Sequence, residues 1–150
     1  GNPALQATLF ELPAAAAVAR RRLATGGAAE HIVVAEGDFF ADPIPEGHDA
    51  ILLANVVHLF SPEQNLTLLQ RVRAAAPGGA RLLLADFWTD PSHTEPITAA
   101  LLAAEFLVIA GNGDAYSDEE AGEWLGNSGW RPLGRRELAG PMSLLVAEAV

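Results

Sequence analysis

Half of the 150 residues are hydrophobic, enough for one domain with a sizeable core. The formal charge of −10 repels a polyanion, and the basic clusters Arg20–Arg22 and Arg135–Arg136 are short and lack interleaved aromatics, so they read as solvated faces and nucleic acid is not an expected partner. The absence of cysteine excludes disulfides and thiolate metal sites, no apolar run reaches the ~18 residues of a membrane span, and nothing points away from the cytoplasm.

Ala4 to Phe10 alternates loosely and predicts a short strand ending near Leu12. Pro13 suits the first turn of a helix, where its missing N–H costs little; the arginines near the far end complement the dipole, and Gly26-Gly27 is the expected stop. His31 to Ala35 predicts a second strand, followed by Gly37-Asp38 and a loop rich in proline and acid. Ala50 to Val57 is nearly continuous in apolar residues, as in a strand buried on both faces of a parallel sheet.

Ser61-Pro62-Glu63-Gln64 is a capping box with proline at the first helical position, and it predicts a helix that buries Leu66, Leu69 and Val72 and ends at Pro77-Gly78-Gly79. Arg81 to Phe87 is the next buried strand, and Pro96 to Ile109 is an apolar helix expected to pack under other elements. Ser117 to Glu120 is a second capping box, opening a helix through Leu125; Pro132 to Ala139 and Ser143 to Ala149 close the chain as strands. The alternation implies an α/β fold with a mostly parallel sheet and an antiparallel C-terminal edge, in one domain spanning residues 1–150.

Ligands of open α/β sheets bind beyond the carboxyl ends of the strands. The polar residues expected there are Glu11, Glu36, Asp38, Asn55, His58 and Asp86. They can bind hydroxyls, amines and a proton, and they include no lysine or arginine to hold a phosphate. Glu11 can accept from a ribose diol, or it caps the next helix. Asp38 can accept from an exocyclic amine beside an aromatic ring, and Gly37 permits close backbone approach; the other reading is an Asx turn with Phe39 in the core. His58 ends a strand and is a candidate general base for a hydroxyl, or a histidine bonded locally. His31, His48 and His93 read as surface. No nucleophile elbow, phosphate loop or metal-ligand spacing is present.

Four segments carry a resemblance. Ala7 to Pro13 reads ATLFELP, similar to a T-x-F-D-L-P element with Glu11 in place of the aspartate. Glu36 to Phe40 resembles x-G-D-F-F, Asp49 to Ser61 resembles a D-x-x-x-L-x-x-V-L-H strand, and Pro77 to Leu83 resembles P-G-G-x-L-L-I. In this order they resemble class I S-adenosylmethionine-dependent O-methyltransferases of the caffeate, acetylserotonin and hydroxyneurosporene group, with their bacterial natural-product relatives. The resemblance implies a Rossmann-like sheet and methyl transfer from S-adenosylmethionine to a small hydroxylated molecule, aromatic or polyketide.

It further implies that Glu11 binds the ribose, that Asp38 and Phe39 contact the adenine beside Gly37, and that Asn55 lines the methionine side. His58 would take the substrate proton, with Asp86 orienting it or the substrate; Leu59 stands where plant members have aspartate. Phe106 and Trp88 would be aromatic walls of the substrate site or core residues. Family members also carry a glycine-rich strand and loop ahead of the first element, and a helical dimerisation domain. Neither is found in these 150 residues, so the first strand of the sheet would be missing between the strands at Ala4–Phe10 and Ala50–Val57. Completion by the rest of the enzyme, or by a homodimer partner, is then expected. A ligand- or partner-binding module with a degenerate fold is the alternative.

Overall fold

A computed structural model describes residues 4–25 and 29–150. The chain divides into two compact units, Gly1–Glu46 and Gly47–Val150.

In the first unit, β1 (Ala7–Glu11) and β2 (Ile32–Glu36) pair in parallel, in a register that sets Glu11 beside Glu36. Helix α1 (Pro13–Ala24) crosses between them, with Pro13 in its first turn, Arg21 and Arg22 in its last, and Ala16 fully buried. The helix closes at Thr25, whose N–H bonds back to Arg22. Gly26 and Gly27, the expected stop, lie outside the described residues. The proposed strand start at Ala4 moves to Ala7.

In the second unit four strands run in the order β3 (Ala50–Ala54), β4 (Arg81–Asp86), β6 (Ser143–Ala149), β5 (Trp130–Glu137). β3 and β4 are parallel, and β6 is antiparallel to both β4 and β5. The antiparallel C-terminal edge is therefore present, with the last strand inserted between β4 and β5. Alternate residues of β6, from Ser143 to Ala149, turn into the core.

Both capping boxes form. Ser61 Oγ accepts from the Gln64 N–H while Gln64 Oε1 accepts from the Ser61 N–H, opening α2 (Pro62–Ala75). Ser117 and Glu120 do the same for α4 (Asp118–Asn127). α2 buries Leu68, Leu69 and Val72, and α4, which lies against α2 and β5, buries Ala121, Trp124 and Leu125. Leu66 is half-buried, and Asn65 occupies the inward position expected for it.

Two expectations are corrected. β3 does not run to Val57: it stops at Ala54, and Asn55 takes a left-handed φ of 56°. The backbone then closes a 3-10 turn over Val57–Leu59. Asparagine tolerates that conformation because its short side chain crowds the backbone little. Among the described residues, helix α3 (Ile97–Ala110) is not packed under other elements, since Leu101, Leu107, Val108 and Ile109 are all exposed. Ala99 and Phe106 are its buried contacts.

Candidate functional site

Because β3 and β4 are parallel neighbours, their carboxyl ends lie side by side. Asp86 is the last residue of β4, one beyond the Ala54–Ala85 pair, and the turn after β3 carries His58 to meet it. His58 Nδ1 lies 2.6 Å from Asp86 Oδ1. The same carboxylate accepts backbone N–H bonds from Phe87 at 2.9 Å, Val57 at 3.0 Å and His58 at 3.4 Å. A carboxylate surrounded by N–H donors has no proton of its own to give, so Nδ1 carries the ring proton and Nε2 is left as the basic nitrogen. Asp86 is 1% exposed and His58 8%.

Phe106 reaches from α3 to stack on the imidazole, with ring centroids 3.9 Å apart at 17°. Phe87 meets the same ring edge-on at 6.2 Å. Phe106 is thus a core residue that packs on the His58 ring. Trp88 is core: it is buried, and its indole N–H donates to the Ser143 carbonyl 3.1 Å away.

Behind the turn stands Tyr116, whose hydroxyl donates to the Phe60 carbonyl at 2.6 Å. Burial first, then the charges of Asp114, Glu120 and Glu63, push its phenol up to about 12. Asn65 and Tyr116 were not legible as site residues; the one available signal was an amide on the inward stripe of an otherwise apolar helix face.

Asn55 is exposed at the end of β3, and its N–H extends the ladder to the Ala85 carbonyl. The remaining residues singled out lie in the first unit. Gly37 donates its N–H to the Glu11 carbonyl at 3.0 Å. A Cβ on Gly37 would strike the Phe10 ring at 2.5 Å, so the close approach made there is to an aromatic side chain. Asp38 Oδ1 accepts from the Phe40 N–H at 2.8 Å, an Asx turn. Phe39 is half-buried and packs edge-on against Phe40. Glu36 is committed to an ion pair with Arg20, whereas no hydrogen bond to the Glu11 carboxylate occurs among the described residues.

The other histidines stay near the surface, His93 with its Nε2 3.1 Å from Glu120 Oε2 and His31 beside Gln6. Among the described residues there is no cluster suited to a metal ion, and no helix long and apolar enough to cross a membrane.

The O-methyltransferase domain model matches residues 2–131. The 3-hydroxy-5-methyl-1-naphthoate 3-O-methyltransferase of Streptomyces sahachiroi is 34% identical over 140 residues, which are 93% of this chain and 40% of that protein. The crystal structure of an O-methyltransferase family 2 protein from Planctomyces limnophilus, in complex with apigenin, superposes with a TM-score of 0.93 at 26% identity, over 99% of this chain and 44% of that one. The structure titled PigF with SAH superposes with a TM-score of 0.90 at 30% identity, over all of this chain and 50% of that one. The chain therefore spans half the length of these relatives or less. The segments read in the sequence, the strand ends that deliver His58 to Asp86 and the similarity across nearly the whole chain agree: this chain belongs to the O-methyltransferase domain family.

Proposed function

We propose that this chain is catalytic-domain sequence of an enzyme that transfers a methyl group from S-adenosylmethionine to a hydroxyl of a small aromatic or polyketide molecule, with His58 as general base. The observation that carries the reading is the buried His58–Asp86 pair at the ends of two parallel strands, 2.6 Å apart. Asp86 holds the ring in the tautomer that leaves Nε2 free to take the hydroxyl proton. Phe106, stacked on the ring, restricts its rotation. The polarised hydroxyl oxygen then needs alignment more than activation. S-adenosylmethionine supplies a methyl already activated by its sulfonium charge.

The donor chemistry of the first unit fits such a cofactor. Glu11 ends β1 with a carboxylate suited to a diol, and Asp38 has one oxygen tied in its Asx turn and a second suited to an amine. Gly37 and Phe39 flank that aspartate, and Asn55 is assigned to the methionine side. The carboxylates suit a cationic ligand, and neither position offers a base to hold phosphate.

Calorimetric titration with S-adenosylhomocysteine tests the cofactor arm. Micromolar binding supports the reading; no binding turns it towards a ligand- or partner-binding module. In a methyl-transfer assay on hydroxylated aromatics, His58→Ala is expected to lower kcat by about a hundredfold or more with cofactor affinity unchanged. Full activity in that variant removes His58 from the role.

A further inference from the structure

A single 3-10 turn is weakly held by its own hydrogen bonds, yet a proton acceptor has to stay within about half an ångström of its productive position. The turn at 57–60 is gripped from outside. Asn65 Nδ2 donates to the Val57 carbonyl at 3.0 Å and to the Phe60 carbonyl at 3.2 Å. The Tyr116 hydroxyl donates to the same Phe60 oxygen at 2.6 Å. The His58 carbonyl accepts from the Asp114 N–H at 3.1 Å. Next to it, Gly113 lies so close that a Cβ there would come within 2.2 Å of the His58 oxygen.

Asn65 is the more telling of the two side chains. It is 1% exposed and shares its inward stripe with Leu68, Leu69 and Val72. Its Oδ1 is buried with no hydrogen-bond partner among the described residues. An amide left half-satisfied in a core is unfavourable compared with an apolar side chain, so packing does not explain it. Its two N–H donors do, since the two carbonyls they reach bracket His58.

We propose that Asn65 and Tyr116 are positioning residues for His58. They clamp the Phe60 carbonyl from two sides, fix the turn, and so fix where Nε2 stands while Asp86 sets the tautomer. The proposal rests on the reading of His58 as the proton acceptor.

The test is solvent exchange of the His58 Nδ1–H, followed by NMR on the ring-labelled chain and on its Tyr116→Phe, Asn65→Leu and double variants. Tyr116→Phe removes a single oxygen and is expected to keep the fold, read from its amide spectrum. Its Nδ1–H is expected to exchange about two- to tenfold faster, the equilibrium worth of one hydrogen bond. The double variant is expected to exceed either single one, because the two donors share one acceptor. Unchanged exchange in folded Tyr116→Phe overturns the clamp, and should Asn65→Leu fail to fold, that variant alone decides. The exchange rate does not depend on methyl transfer, so the clamp and the base reading fail separately: the base reading falls on an unimpaired His58→Ala enzyme. In active enzyme, Tyr116→Phe is expected to lower kcat with KM unchanged.

Discussion

Asp86 illustrates how much one side chain can organise. Its two oxygens serve four N–H groups, three from the backbone and one from His58. An amide in its place has one acceptor oxygen, so at least one side of the constellation loses its partner. Asp86→Asn is expected to cost about 1–3 kcal/mol, measured by urea unfolding, and to release the imidazole from its tautomer. Tyr116 gives a pH signature. In the fold its phenol is pushed up to about 12, against 10.0 for an ordinary tyrosine. The stabilisation this represents is complete below pH 10 and disappears as pH rises through about 12. Since Tyr116 is the only tyrosine in the chain, tyrosinate absorbance follows that one group, and Tyr116→Phe is expected to flatten the alkaline loss of stability.

Helix starts were the most legible elements, because a capping box is local chemistry that needs no tertiary partner. Ser61 and Gln64 satisfy each other's backbone N–H whatever packs nearby. Ser61→Ala is expected to destabilise by about 1 kcal/mol, read as a lower denaturation midpoint. The end of β3 was not legible. An apolar run cannot say where its backbone leaves the sheet, and Val56 and Val57 extend the run past Asn55, where the strand has already stopped. The turn that results is what lets His58 reach Asp86. The pairing of those two residues depends on β3 and β4 being neighbours, which sequence spacing alone does not reveal. Asn65 was missed for a related reason: its partners are carbonyls, which carry no sequence signature.

At the scale of the whole chain, the alternation of strands and helices was enough to give the α/β class and its antiparallel end. The exposure of α3 was not. A helix apolar on all sides ordinarily signals burial, but here Ile97, Leu101, Leu107, Val108 and Ile109 are all more than half exposed. Leu101→Gln with Val108→Glu is expected to change stability by less than about 0.5 kcal/mol while reducing binding of a hydrophobic dye. Unfolding of that double variant would show instead that those side chains belong to the core.

The four-stranded sheet has two unlike edges. β5 carries Arg131, Arg135 and Arg136, a proline at position 132 and a bulge between Pro132 and Gly134. These are the features by which natural edge strands repel another chain. β3 is the opposite edge, five apolar residues without a charge, with Leu52 58% exposed. Growth of the sheet is therefore directional. Of the two edges, β5 is armed against a further strand and β3 is built to accept one, so a charge placed on β3 would hinder that addition more than any number added to β5.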